Sequence, residues 1–173
     1  MQGLLENYHR LLEKVDNLCE GIATLLGDAL TCHAGCSSCC QAISVFPVEA
    51  AAMIEAVGEL SAEQQKFLKE HFAVIPDDGS CPLLFNDRCL LYQARPIICR
   101  THGFPVLLIE GQTKRVDVCP LNCRDMVQMP GEAIIDLDRL NELLVSINLL
   151  YMREFSIKLP EKIPLTSLSD MLP

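Results

Sequence analysis

The feature that most limits what this 173-residue chain can become is its cysteine distribution: nine of its ten cysteines fall between positions 32 and 123. Four of them crowd into one short stretch, Cys32-His-Ala-Gly-Cys36-Ser-Ser-Cys39-Cys40, and no Lys, Arg, Asp or Glu occurs from Ala29 to Val48. Cys81, Cys89, Cys99, Cys119 and Cys123 follow. Thiols at this density have three explanations: a disulfide framework, dithiol redox chemistry or metal binding. A chain of this length buries a full hydrophobic core and does not need disulfides in the way a very small secreted domain does. The opening residues, MQGLLENYHRLLEKVDNLCE, mix charges among the apolar positions, with no basic region followed by an apolar run, so they do not read as a secretory signal. No apolar run is long enough to span a bilayer. The expectation is a soluble cytoplasmic protein without membrane partners, in a reducing compartment where clustered thiols more often bind metal or do redox work than form bridges.

The net charge of −9 argues against nucleic acid as a partner, because phosphate binding needs a basic surface. That charge is uneven. From Ser80 to Arg124 there are six basic residues (Arg88, Arg95, Arg100, Lys114, Arg115, Arg124) against three acids (Asp87, Glu110, Asp117), and five of the cysteines lie in the same segment. Nearby cations lower thiol pKa and offset the charge of a thiolate–metal centre. Arg95 and Arg100 are therefore candidate cofactor-binding residues; the alternative is that they brace the cysteine loops.

Periodicity predicts a mainly α chain with a small β-hairpin. Residues 4–29 carry a heptad stripe of Leu4, Tyr8, Leu11, Val15, Leu18, Ile22, Leu25 and Ala29, widened by Leu5, Leu12, Cys19 and Leu26. Cys19 sits at a packing position and is left out of the metal set. The stripe either packs within the chain or pairs with a second copy as a homodimer. Pro47 suits a first helical turn, with a helix over Val48–Val57 and Gly58 as its stop. Ser61-Ala-Glu-Gln64 is a capping box opening a helix to about Phe72. Pro76-Asp-Asp-Gly79 reads as a turn, and residues 80–102 as loop and short helical turns, with Tyr92 packed in the core. Val106–Ile109 and Arg115–Val118 make a hairpin around Glu110–Thr113. A helix from about Asp136 to Phe155 is expected to bury Leu140, Leu143, Leu144, Ile147, Leu150 and Tyr151. The tail from Leu159 to Pro173 reads as an irregular surface segment. The organisation expected is a single domain over 1–173. It has an N-terminal amphipathic helix (1–30), a cysteine-cluster metal-binding core (31–124) and a C-terminal helix and tail (130–173), the long helices clamping a cysteine-rich, metal-centred core.

The spacing C-x3-C-x2-C over Cys32, Cys36 and Cys39, with Cys40 adjoining, lets a compact loop turn several thiolates toward one point, as zinc and iron–sulfur sites require. The same spacing heads the cubane loop of radical-SAM enzymes. Those enzymes place it after the first strand of a β/α barrel, whereas here it follows a long helix and no β/α repeat comes after. No Gly-rich phosphate loop, nucleophile elbow or His-Glu-x-x-His helix occurs.

Two groups of residues carry a resemblance. Cys36-Ser-Ser-Cys39-Cys40 followed by Ser44-Val-Phe-Pro47 resembles the first half of a family signature. Cys81-Pro-Leu-Leu, Cys89-Leu-Leu-Tyr92, Arg95-Pro96 and Cys99-Arg100 resemble the second half. The chain is thereby similar, over roughly residues 30–105, to the CxxCxxCC zinc- or iron-chelating domain family, also called YkgJ-type cysteine cluster proteins. Cys32 and Cys36 are three residues apart where the family name has two, and Cys119-Pro-Leu-Asn-Cys123 lies beyond the shared core. The resemblance implies a bound metal centre and leaves zinc against iron open.

Cys32, Cys36, Cys39, Cys40, Cys81, Cys89, Cys99, Cys119 and Cys123 are thus the candidate metal ligands, with His33 or His102 as spare nitrogen donors to zinc. The cofactor is an iron–sulfur cluster of the 4Fe–4S type or zinc. Cys-Pro at Cys81 and Cys119 and the charge-free loop lean toward the cluster, in a structural or electron-transfer role. The alternatives are a structural zinc module that engages a protein partner, an accessory to a group-transfer enzyme, and a dithiol protein using Cys36/Cys39 and Cys119/Cys123. Whether the chain is an enzyme stays open, since thiolates filling every coordination position leave none for Lewis-acid catalysis.

Overall fold

The computed structural model describes residue 3 and residues 5–33, 35–74, 78–155 and 161–172. Leu4 of the expected stripe and the first half of the turn at 76–79 lie outside the described residues, as does the start of the tail. Among the described residues five α-helices form: α1 (Glu6–Leu26), α2 (Pro47–Glu59), α3 (Ala62–Phe72), α4 (Ile97–Thr101) and α5 (Leu137–Phe155). The strands are short: β1 (Ser44–Val45), β2 (Leu84–Phe85), β3 (Arg88–Cys89), β4 (Val106–Glu110), β5 (Thr113–Asp117), β6 (Ile135–Asp136) and β7 (Ile163–Pro164). They pair as three small sheets, so the chain is mixed α with several β elements where the sequence promised one hairpin. None of the described helices is long and apolar enough to cross a membrane.

The chain divides into two compact units. The first comprises Met1–Leu5, Ala34–Pro96 and Asn148–Pro173. Its core is Val45, Ala50, Met53, Val57, Leu68, Leu83, Leu91, Ile163, Leu165 and Leu168. Pro47 opens α2, where its missing N–H is no loss, and the Glu49 carboxylate accepts the Phe46 N–H at 2.9 Å. Asn148 Oδ1 accepts the Val48 N–H at 3.2 Å, so a buried side chain on α5 satisfies an orphan donor of α2. The Ser61 capping box forms as read, with Ser61 Oγ accepting from Gln64 N and Gln64 Oε1 from Ser61 N.

The tail departs from expectation. Ile163 and Pro164 pair antiparallel with Val45 and Ser44, and Leu165 and Leu168, on a 3-10 turn over Leu165–Met171, are almost wholly buried. The prolines obscured three core residues, each worth about 2 kcal/mol on burial.

The second unit comprises Glu6–His33 and Ile97–Ile147. Here α1 buries Tyr8, Leu11, Val15, Cys19, Ile22 and Leu26, while Leu18 and Leu25 of the heptad stripe are exposed. A straight helix turns every 3.6 residues, so its buried line drifts by about 20° per heptad and passes from position 18 to 19 and from 25 to 26. Along α5, Leu140, Leu144 and Asn148 are buried, whereas Leu143 and Leu150 face solvent. The β4–β5 hairpin turns at Gly111, whose φ of +63° suits a tight two-residue loop, and β6 joins β4 in parallel.

Candidate metal centre

In the first unit, three segments bring five thiols together. The loop carrying Cys36, Cys39 and Cys40 closes a turn through the Cys40 N–H to Ser37 O bond of 2.8 Å. It is then zipped to the next segment: Gln41 and Ser80 form an antiparallel bridge, Ala42 N–H donates to Gly79 O at 2.8 Å, and Cys81 N–H donates to Cys40 O at 3.2 Å. Cys81 leads directly into the hairpin β2–β3, where Leu84 pairs with Cys89. That hairpin turns on Asn86 and Asp87, both at positive φ (49° and 59°), a conformation that Asn and Asp tolerate better than most residues. Asp87 Oδ1 also accepts the Ser37 hydroxyl at 2.6 Å, tying the turn back to the cysteine loop. This hairpin stands where loop and short helical turns are expected from the sequence, and Asn86-Asp87 is the turn signal that marks it.

Burial and neighbouring groups raise four of these thiols, Cys39, Cys40, Cys81 and Cys89. Burial pushes the Cys40 thiol up, and charge on Cys81, Cys89 and Cys36 pushes it further. Cys39 is raised first by partial desolvation and then by Cys40, with Cys36 a smaller cause. Cys81 is raised by burial, against which the backbone N–H groups of Leu83 and Leu84 act. Cys89 is raised by burial and by Cys81, with the Leu91 N–H and the Arg95 cation pulling the other way. Backbone N–H groups aimed at sulfur stabilise a thiolate, the form that binds metal. The Arg95 guanidinium lies 3.6 Å from the Tyr92 ring centroid and its Nε donates to Tyr92 O at 2.9 Å. Tyr92 is thus an exposed platform for Arg95, correcting its expected place in the core.

The thiols of the second unit have a different setting. Cys32 is exposed, and its sulfur receives Asn122 Nδ2–H at 3.3 Å. Asn122 is buried and fully engaged: Nδ2 also donates to Gly103 O at 2.7 Å, and Oδ1 accepts from Thr31 N at 2.9 Å and Thr31 Oγ1 at 3.0 Å. Gly103, at φ +95°, presses so close that a Cβ there would stand 3.1 Å from Cys32 Sγ. Asn122 closes the Cys119-Pro-Leu-Asn turn through its N–H to Cys119 O bond of 2.8 Å. Cys119 is half-buried. Cys123 is buried at a positive φ of 55°, donates its N–H to Ala29 O at 2.7 Å, and has its thiol pushed up by burial alone. Cys99 is half-buried on α4. Arg100, next to it, is buried and meets both carboxylate oxygens of Asp16 at 2.6 Å, while Cys19 donates to Arg100 O at 3.6 Å. His33 Nδ1 is 2.8 Å from Thr31 O, and His102 is exposed. Asn122 was missed by sequence reasoning; an Asn between two cysteines gives no signal of its own.

Among the described residues no group of three or more His, Cys, Asp or Glu side chains already stands as a metal-ion site. What the first unit offers is a donor set: five soft thiols and directed N–H groups, the chemistry that zinc and iron accept. A helical scaffold with such a set is that of a cysteine-cluster metal-binding protein. Residues 31–124 match the family model CxxCxxCC, described as "Putative zinc- or iron-chelating domain", and since that match covers more than half of the chain, the protein belongs to this family. No curated protein and no solved structure matches the chain.

Proposed function

We propose that the first unit holds an iron–sulfur cluster of the 4Fe–4S type on Cys36, Cys40, Cys81 and Cys89, in a structural or electron-transfer role. The observation that carries the reading is the crossing of the segments that bear these thiols: Gln41 bridges Ser80, Cys81 N–H donates to Cys40 O at 3.2 Å, and Leu84 pairs with Cys89, so that Cys40 also feels the charge of Cys36, Cys81 and Cys89. A set of four thiolates suits such a cluster, and the charge-free loop from Ala29 to Val48 limits competing charge around it. The bound group would supply one-electron chemistry. The chain's own residues supply the thiolates, the N–H groups of Leu83, Leu84 and Leu91 that offset their charge, and the Arg95 cation beside Cys89.

Zinc is the second reading, favoured by the solvent-open position of Cys39 in the same loop, since a closed four-thiolate zinc site has no redox chemistry to shield from solvent. In that case the centre is a fold-stabilising element of an interaction module.

Anaerobic purification followed by absorption spectroscopy and elemental analysis decides. Broad absorption near roughly 400 nm, with iron and acid-labile sulfide each near four per chain, supports the cluster. A colourless protein with stoichiometric zinc supports the second reading, and a metal-free protein overturns both.

A further inference from the structure

The three-stranded sheet of the second unit has an open edge. Its strand order is β5-β4-β6, so β5 (Thr113–Asp117) lies at one end and, among the described residues, pairs with β4 alone. All of its residues are exposed. Register tells which of its backbone groups are spare. The Ile135 N–H donates to Pro105 O at 2.9 Å, so odd-numbered positions of this segment turn their backbone toward β6 and even-numbered ones toward β5. Val106, Leu108 and Glu110 therefore exchange hydrogen bonds with Asp117, Arg115 and Thr113, as a two-residue loop closing on Glu110 and Thr113 also requires. The N–H and C=O groups of Lys114 and Val116 point off the open edge.

Such a row of unpaired groups is a template for another strand. The side chains of β5 select which one. Arg115 and Asp117 share a face, two residues apart, on either side of the outward-bonding Val116. Arg115 reaches Glu110 at 3.7 Å with both side chains largely in solvent, and Asp117 forms no ion pair among the described residues. The antiparallel two-fold registers that would pair the outward groups with those of a second copy are centred on Lys114, Arg115 or Val116. The first sets lysine directly opposite lysine, and the second sets arginine opposite arginine. The third sets valine opposite valine and Arg115 opposite Asp117 of the second copy, twice over. Like charges directly opposite destabilise a pair, and unlike charges support it.

We propose that β5 is a self-pairing edge, at which two copies of the chain join with Val116 on the two-fold axis to make one continuous sheet. The two valines exchange both backbone bonds. The Arg115–Asp117 pairs close at the neighbouring non-hydrogen-bonded positions, where facing side chains stand closest. Val116, 42% exposed in the single chain, gains an apolar partner. Lys114 excludes the register centred on itself, the usual service of lysine on an edge strand. No cysteine takes part, so the pairing stands apart from the metal reading.

Sedimentation velocity on the purified full chain, under reducing conditions and over a concentration series, tests this. The mass should rise from one chain toward two as concentration increases. Val116→Pro removes the outward N–H at an edge position that tolerates proline, and should leave monomer. Arg115→Asp and Asp117→Arg each set like charges opposite and should each weaken pairing by about tenfold. Mixed together, these two variants restore opposite charges at both positions and should pair as tightly as the parent. Amide exchange on the parent covers the case of variants that misfold. Protection should rise with concentration at Lys114 and Val116, and not at Thr113, Arg115 or Asp117, which β4 already holds. A parent that stays monomeric, a dimer that survives Val116→Pro, or a mixture no tighter than either variant alone overturns the proposal. So does a dimer indifferent to every substitution, as pairing through the exposed Leu18 and Leu25 of α1 would be. A monomeric parent whose edge is protected only by an added glutamate-rich peptide overturns it in favour of a foreign strand.

Discussion

The two compact units carry similar numbers of thiols and treat them differently. In the first, thiols far apart in sequence act on one another: Cys81 and Cys89 raise Cys40, Cys81 raises Cys89, and backbone N–H groups act on Cys81 and Cys89. In the second, Cys123 is raised by burial alone, and Cys32 is gripped by the side chain of Asn122. The lesson is that cysteine count is not a donor set. A donor set needs chain segments that cross, and the first unit provides crossings through the Gln41–Ser80 bridge and the β2–β3 hairpin. The second spends equivalent interactions on fixing a turn.

The most severe test of this contrast is metal content. Cys40→Ser, Cys81→Ser and Cys89→Ser should each reduce bound metal to near zero, whereas Cys123→Ser should leave it unchanged, measured by elemental analysis of protein purified in parallel. Emptying of the centre by Cys123→Ser would break the comparison.

Acid comes next. With Cys40, Cys81 and Cys89 raised, the metal-free protein holds neutral thiols near pH 7, and binding must expel their protons. Affinity should therefore fall on acidification, by up to about tenfold per pH unit for each thiol that ionises on binding. The metal-free protein should respond in the opposite sense. Folding favours the protonated thiol, so this contribution is full below the unfolded-state pKa and is lost as pH rises through the raised folded values. Competition titrations from pH 6 to 8, together with urea melts of the metal-free chain above pH 8, check both signs.

Two substitutions sharpen the structural side of the second unit. Asp16→Asn leaves the buried Arg100 guanidinium without its counter-charge and should cost about 2–3 kcal/mol in urea unfolding, the half-exposed carboxylate keeping it below the cost of a fully buried pair. Asn122→Ala removes the bonds to Thr31 and Gly103 and should cost about 2 kcal/mol by the same measurement. Both should retain metal. The smallest effect belongs to the first unit: Ser61→Ala removes a helix cap and should cost about 1 kcal/mol, again with metal retained.

What could be read beforehand and what could not follows the range of each interaction. The capping box at Ser61, Pro47 at the start of α2 and the β4–β5 hairpin are local, written within a few residues, and all three form. Errors arose where a distant partner decided. Leu143 and Leu150 were as apolar as Leu140 and Leu144, but α5 turns Asn148 inward, where it accepts the Val48 N–H. The proline-rich tail looked like a surface segment until β1 offered Ile163 an edge to pair with.

The same division holds for the candidate site. The sequence by itself determined that this chain is a cysteine-cluster protein, because residue type and short spacing set which chemistry the side chains can do and identify the family. Only the tertiary structure decided that the Cys40 backbone meets Cys81 and that Cys81 leads into the hairpin bearing Cys89, while Cys39 is exposed. Proximity of segments about forty residues apart depends on which strands bridge and where a hairpin turns, and no local spacing encodes that.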